Sequence, residues 1–438
     1  MTERRTIEVG ALARVEGEGA LHLTIEGDQV RDLRLEIYEP PRYFESFLRG
    51  REATELPDLV ARVCGICPVA YQMSTVHALE RIFEVTIDPT TRALRRLYYA
   101  GEWLESHLLH MMFLAAPDYL GLDDAFAIAG LHRAEVERAL RLRKLGNRIL
   151  ELLGARSVNP VGVVIGGFAR MPRPGELADL ADALRQARGD AEALLVWFRE
   201  LAVPRRPQEV ELVSVRHPDE YPMNEGRILS SGGLDVAPSE FDEVFEEFQV
   251  EHSTALHSHI RGRGAYLVGP LARVVLNRDH LLPAASAAFD SLSDRFERPD
   301  PAASVFARGV EVLQAIDEAL VAIEAVDPSS AGAPDWRPRA GRAAWATEAP
   351  RGTLWIEVAT RDTGHVEEIR IVPPTSQNQA RIEDDLAGLV PGLLGRSDDE
   401  VRQACEAAIR DYDPCISCAT HFLTLHIERK EPGCASGS

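Results

Sequence analysis

Apolar and polar positions alternate near the start of the chain, over 20–26 and 30–38, around Gly27-Asp28-Gln29. A period of two broken by a glycine-bearing turn predicts a β-hairpin with one buried face. From Pro41 the pattern turns helical, in short amphipathic pieces up to Arg62. Asp88-Pro89-Thr90-Thr91 is a capping signal and introduces a long helix over 90–115. Further long helices are predicted over 134–153 and 175–201. Between them, Pro160-Val161-Gly162-Val163-Val164-Ile165-Gly166-Gly167 is too apolar and glycine-rich for an exposed loop, and predicts a buried run. Residues 209–277 change character: β-type runs at 209–215 and 265–268 and the turn Ser231-Gly232-Gly233 predict a small α+β insertion. Helices resume over 281–296 and 302–325, followed by a Pro/Gly/Ala-rich connector at 331–342. A second hairpin is predicted from 353–358 and 366–372, and two last helices over 380–389 and 398–411.

Composition narrows the class. With 45% hydrophobic and 27% charged residues, 438 residues are ordinary globular material, long enough for a large core without disulfide staples. A net charge of −21 argues against a nucleic-acid partner, which would need a basic face. No run of 18 apolar residues is present, so no membrane span is expected. Met1-Thr2-Glu3-Arg4-Arg5 leads into mixed polar sequence with no apolar signal core, which points to the cytoplasm.

The chemistry lies in the cysteines. Six in 438 residues is sparse, and four of them form two Cys-x-x-Cys pairs, Cys64 with Cys67 and Cys415 with Cys418. Each pair can aim two sulfurs at one metal from a single turn, giving four soft ligands in all. A structural zinc knot usually closes over a short segment, whereas these pairs stand 348 positions apart, from Cys67 to Cys415. A redox dithiol needs only one pair, and an iron–sulfur cluster fits four cysteines equally well. Residue types alone therefore leave the identity of the metal open.

The flanking residues are more specific. Arg62-Val63-Cys64-Gly65-Ile66-Cys67 together with Asp413-Pro414-Cys415-Ile416-Ser417-Cys418-Ala419-Thr420-His421 resembles the paired motif of nickel–iron hydrogenase large subunits. The resemblance extends over essentially the whole chain. Pro374-Thr375-Ser376-Gln377-Asn378 and the compact length are similar to the soluble, multi-subunit branch linked to NAD, NADP or a deazaflavin. The related quinone-reducing subunit of respiratory complex I lacks the four cysteines.

The resemblance implies a catalytic subunit that splits dihydrogen heterolytically and reversibly. Cys64 and Cys415 would bind nickel terminally, and Cys67 and Cys418 would bridge it to an iron carrying carbon monoxide and two cyanides. Glu16, in Arg14-Val15-Glu16-Gly17, would relay protons from a terminal thiolate, and Arg351, in Glu348-Ala349-Pro350-Arg351-Gly352, would stand over the metals. Asp118 would lie near that arginine. Pro374 and Thr375 would surround the cyanides, with the Thr375 hydroxyl donating. Glu45, the carbonyl of Ile371 and His421 would hold a magnesium or similar ion, for which oxygen-rich ligation is suited. Two departures from the family's pattern stand out: Tyr71 takes the place of a histidine that often follows the second cysteine, and Glu18 that of another. His107 and His110, and likewise His257 and His259, are read as packing or surface histidines, and Cys405 and Cys434 carry no expected ligand role.

The expected fold is α+β and mainly helical, a long-helix bundle around a buried metal site with small peripheral antiparallel sheets. One catalytic body would span 1–421: a β-hairpin region (1–40), a helical part with the first cysteine pair (41–205), the α+β insertion (206–278), and helices, hairpin and second pair (279–421). In the family a maturation endopeptidase cuts after the histidine equivalent to His421 once nickel is inserted. Residues 422–438 are therefore expected to be removed, with nickel chaperones as further partners. Electrons would leave through an iron–sulfur small subunit, then through flavin- or NAD(P)-binding subunits. The alternative reading is a hydrogen-sensing regulatory subunit using the same metal site.

Overall fold

The computed structural model describes residues 4–27, 29–330 and 332–420. His421 and the 422–438 extension, with their expected ligation and cleavage, lie outside the described residues. Three antiparallel strands open the chain, β1 (Arg4–Val9), β2 (Gly19–Glu26) and β3 (Gln29–Ile37), in that order across the sheet. The expected hairpin is β2–β3. Its alternation buries Leu21, Leu23 and Ile25 against Leu35 and Ile37. β1 adds a third strand that buries only Ile7 and Val9, too weak a pattern to stand out in sequence.

Helix α1 (Pro68–Phe83) starts immediately after the first cysteine pair, with Cys67 as its N-cap residue. Every residue of it but Arg81 is buried. It has no polar face, so periodicity cannot reveal it. Helix α2 (Pro89–Leu108) starts as its signal predicts, with the Asp88 carboxylate accepting the Thr91 N–H at 2.8 Å. The single helix expected over 90–115 instead widens into a π-helical stretch at Leu109–Ala115. Helices α3 (Arg133–Gly154) and α4 (Pro174–Glu200) follow, close to the expected bounds. Gly101 of α2 faces Gly146 of α3 so closely that a Cβ on Gly146 would stand 2.6 Å from the Gly101 carbonyl oxygen. The glycines let the two backbones touch. The glycine-rich run between α3 and α4 is buried as expected.

The middle region is a mixed sheet: β4 (Glu211–Arg216), β5 (Arg227–Ser230) and β6 (Asp235–Val236). It also holds a separate hairpin of β7 (Phe245–Phe248) and β8 (His257–Ile260), and the short β9 (Tyr266–Leu267), parallel to β4. The helix expected over 281–296 breaks at Leu292 into Pro283–Ser291 and Ser293–Phe296. Helix α5 (Ser304–Glu324) then packs on α2 and α4, and with α3 closes a ring of four long helices.

Three antiparallel strands follow, β10 (Gly341–Ala349), β11 (Gly352–Thr360) and β12 (Val366–Val372). The predicted second hairpin is β11–β12, and β10 fills most of the stretch between the expected connector and the Arg351 turn. Tyr266, Val213 and Ile228 of the middle region share a core with Trp355 and Val372 of this sheet. Helix α6 (Pro374–Leu389) begins six residues before the expected 380, through residues that are all buried. Helix α7 (Asp398–Asp411), capped by Ser397, and the short α8 (Ile416–Ala419) end the described chain. The architecture is mainly helical α+β with small antiparallel sheets. Among the described residues no helix is long and apolar enough to cross a membrane.

Candidate metal centre

The start of α1 and the start of α8 meet at the centre of the molecule. Cys64, Cys67, Cys415 and Cys418 are at most 3% exposed, form no disulfide, and their sulfurs lie within 4.8 Å of one another. Cys64 Sγ is 3.4 Å from Cys415 Sγ, and Cys67 Sγ is 3.8 Å from Cys418 Sγ. Four buried soft donors from two turns fit a thiolate-ligated transition metal. Burial would push every thiol pKa up. At Cys64, hydrogen bonds from the other three cysteines and the nearby Arg351 hold it well below the ordinary thiol. Burial prevails at Cys67, Cys415 and Cys418.

The segment carrying Glu16 is docked on the second pair. Ile416 N–H donates to the Glu16 carbonyl at 2.9 Å, and Glu16 Oε2 lies 3.1 Å from both Cys415 Sγ and the Ser417 amide. Glu16 is the described carboxylate that touches a sulfur of the cluster. Thr375, in the first turn of α6, accepts the Cys415 N–H at 3.0 Å, so its own hydroxyl hydrogen remains able to donate elsewhere. Pro374 beside it is buried. Tyr71 is fully buried one turn into α1, its hydroxyl toward Cys418. Burial and the neighbouring cysteines raise the phenol pKa well above its ordinary value.

Arg351 sits in the turn between β10 and β11. Gly352 makes that turn possible: its φ is +135°, and a Cβ there would stand 2.7 Å from Val268 and 2.8 Å from the Gly269 nitrogen. Arg351 Nε donates to the Asp413 carbonyl at 2.9 Å and Nη2 to Asp413 Oδ1 at 3.1 Å. Burial alone would lower the guanidinium pKa, but Asp413 and the cysteine sulfurs raise it. Here the structure corrects an expectation. Asp118 was expected beside this arginine, but it pairs with Arg14 and Arg410, bracing α7 against the Arg14–Gly17 segment. Asp413, two residues from Cys415, pairs with Arg351 instead, because the turn before the second pair folds under this arginine.

Behind Asp413 runs a line of buried charges. Arg308 Nη2 lies 3.3 Å from Asp413 Oδ2, and its Nη1 lies 3.2 Å from His107. His107 Nε2 is 3.0 Å from Glu311, which pairs with Arg273 at 2.7 Å. Burial lowers the Arg308 pKa to about 10, with Asp413 opposing and Arg351 and Arg273 adding to the fall. Glu102 of α2 caps α1 from below, accepting Val69 N–H at 2.5 Å and Ala70 N–H at 3.2 Å. Asp413, Arg308 and Glu102 escaped the sequence reading. Asp413 alone carried a signal, as the first residue of the Asp-Pro-Cys motif.

On the flank, Glu45 Oε1 accepts the Ile371 N–H at 2.7 Å, so this carboxylate and the Ile371 backbone are adjacent, as joint ligation of an ion requires. Glu18 is exposed. His107 is fully buried in α2 and His110 in the π-helical stretch after it, His257 is buried at the start of β8, and Cys405 is buried in α7, away from the four-sulfur cluster.

With that geometry in view, the comparisons with known proteins are specific. Residues 42–139, which include the first pair, match the nickel-dependent hydrogenase family. The chain is 31% identical to the alpha chain of sulfhydrogenase 1 of Pyrococcus furiosus over 430 residues, 96% of this chain and 98% of that protein. It is 25% identical to the beta chain of the NAD-reducing hydrogenase HoxS of Cupriavidus necator, covering 96% of this chain and 95% of that one. A solved structure of an NAD+-reducing nickel–iron hydrogenase in its H2-reduced state superposes with a TM-score of 0.87 at 26% identity, covering 96% of this chain and all of that one. The chain belongs to the nickel-dependent hydrogenase family, as a large subunit, and is an oxidoreductase acting on dihydrogen.

Proposed function

We propose that this chain is the catalytic subunit of a cytoplasmic, reversible hydrogenase whose nickel–iron centre is held by Cys64, Cys67, Cys415 and Cys418. The observation that carries this reading is the convergence of the four buried sulfurs, with the Glu16 carboxylate 3.1 Å from Cys415 Sγ. When bound, the group supplies an electron-rich metal pair with carbonyl and cyanide ligands, at which the H–H bond is cleaved into two protons and two electrons. Cys64 and Cys415 would hold nickel, and Cys67 and Cys418 would serve both nickel and iron. Glu16 accepts the proton that Cys415 Sγ receives and passes it outward, being only half-buried and reached from the surface. Arg351, fixed by Asp413, presents a permanently charged guanidinium to the cluster. The enclosing α1, α6 and β10–β11 turn exclude bulk water. Pro374 and the Thr375 hydroxyl would line the pocket for the diatomic ligands. Glu45 and the Ile371 carbonyl, with His421, would hold a magnesium or similar ion.

The electrons require a partner. Among the described residues no second cluster of cysteines exists to carry them. They pass to an iron–sulfur small subunit and, through flavin- and nucleotide-binding subunits, to NAD(P) or a similar acceptor. The relatives named above are themselves parts of multi-chain hydrogenases. An infrared spectrum of protein purified without oxygen, from a host with the maturation machinery, tests the assignment. One carbonyl and two cyanide bands, with one nickel per chain, and loss of both in Cys418→Ser, are expected. A nickel-bearing protein with no such bands overturns it.

A further inference from the structure

A second set of metal-ligating side chains lies away from the cysteines. His252, in the loop between β7 and β8, His257, the first residue of β8, and Glu383 of α6 bring their ligand atoms within 4.8 Å of one another. His252 Nε2 is 2.8 Å from Glu383 Oε1, and His257 Nε2 is 3.2 Å from Glu383 Oε2. Each imidazole thus meets its own carboxylate oxygen. Ligands around a tetrahedral ion with bonds of about 2.0–2.1 Å stand roughly 3.3 Å apart, close to these spacings. The side chains come from two segments, the β7–β8 hairpin and α6, and are already held in place. Leu35 N–H of β3 donates to Glu383 Oε1 at 2.9 Å, and Thr254 N–H donates to the Ile37 carbonyl at 2.8 Å, fixing the loop that carries His252.

The charge balance also favours a cation. The buried carboxylates Asp413, Glu311, Glu80 and Glu105 are each ion-paired with an arginine. Among the described residues Glu383 pairs with no arginine or lysine, only with the two imidazoles. His257 is 2% exposed at its side chain, whereas His252 and Glu383 are 22% and 20% exposed. One side of the cluster is therefore dry and the other open to a water as fourth ligand. Two imidazole nitrogens and a carboxylate oxygen are the donor set of borderline divalent transition ions, zinc above all.

We propose that His252, His257 and Glu383 form a zinc site, distinct from the four-cysteine centre, that clamps the β7–β8 hairpin and β3 to α6. Glu383 is eight residues beyond Thr375, about 12 Å along the helix, so the clamp steadies α6 without reaching the reacting atoms.

The test is metal content of the assembled enzyme after dialysis against a zinc buffer, with zinc-edge X-ray absorption on the same sample. One zinc per chain is expected, with a nitrogen/oxygen shell at about 2.0–2.1 Å and no sulfur shell near about 2.3 Å. His252→Gln and Glu383→Gln, both at partly exposed positions, are expected to lower zinc at least tenfold while nickel stays unchanged. Absence of zinc from the wild type overturns the site and leaves a His–Glu–His hydrogen-bond cluster. A sulfur shell overturns it too, placing zinc on the cysteines. Zinc that survives in both variants overturns it as well, by assigning the metal to other residues.

Discussion

At the residue scale, the proposed function divides labour between one mobile proton, on Glu16, and one fixed charge, on Arg351. Glu16 touches Cys415 Sγ, and Glu16→Gln keeps the shape while removing the acid on which the proposed proton transfer depends. Turnover is expected to fall by about 10²–10⁴-fold, the usual worth of a positioned acid–base group, with nickel content and infrared bands retained. A variant with full turnover sinks the assignment of Glu16. Arg351 illustrates the fixed charge. Asp413 is its partner and also faces Arg308, all three buried. Asp413→Ala leaves two buried guanidinium groups without their carboxylate, and stability is expected to drop by about 3–5 kcal/mol, read from the urea midpoint. Little of this pairing was legible. Cys64, Cys67, Cys415, Cys418 and Glu16 stand in motifs, but Asp413 and Arg351 are 62 positions apart, and nothing local distinguishes Asp413 from Asp118 as the arginine's partner.

At the element scale, what the sequence announced depended on having two faces. The hairpin β2–β3 and helices α3, α4 and α7 each have a solvent side, and their periods were readable. Helix α1 and the first turns of α6 are buried all round, so no period marks them, although they carry the residues nearest the cysteines. Helix α2 and the π-helical stretch after it add a consequence for pH. Burial lowers His107 to about 4, with Glu311 opposing and Arg308 and Arg273 adding to it. Burial likewise lowers His110 to about 3, with Arg308 and Arg351 adding to the fall and Asp413 and the Arg410 carbonyl opposing it. Both imidazoles are neutral in the folded chain at pH 6, while in the unfolded chain they titrate near their ordinary value of about 6.5. The unfolded state therefore binds more protons as the solution is acidified. Stability is full above about pH 6.5 and falls as pH drops toward about 4, by up to roughly 3 kcal/mol per pH unit for two protons. His110→Gln is expected to halve that slope in pH-dependent urea unfolding. An unchanged slope means that His110 does not titrate on unfolding.

At the scale of the whole molecule, the cysteine pairs bring together parts of the chain 348 positions apart, and this closure could be foreseen because four ligands require one site. The attachment of the middle region could not. Tyr266, Trp355 and Val372 share a core across a long sequence separation that no local pattern encodes. The same packing limits what the metal does for the fold. Small domains that fold only when loaded depend on ligation because their cores are slight. Here the ring of α2, α3, α4 and α5 fully buries side chains such as Leu97, Trp103, Phe198 and Val310, each aliphatic or phenyl group contributing about 1.5–3 kcal/mol. The segments at the cysteines are shorter and lean on polar contacts: Ile416 N–H on the Glu16 carbonyl, Cys415 N–H on Thr375, and the Asp413–Arg351 and Asp118–Arg14 pairs. Cys64→Ser/Cys415→Ser is thus expected to lose nickel yet keep its far-ultraviolet circular dichroism and cooperative unfolding. Loss of hydrogen-exchange protection should be confined to about residues 10–18 and 412–420, since local opening follows local contact density. Loss of protection through α2 and α5 as well would mean that ligation supports the bundle itself, and that the long-helix core does not stand without its metals.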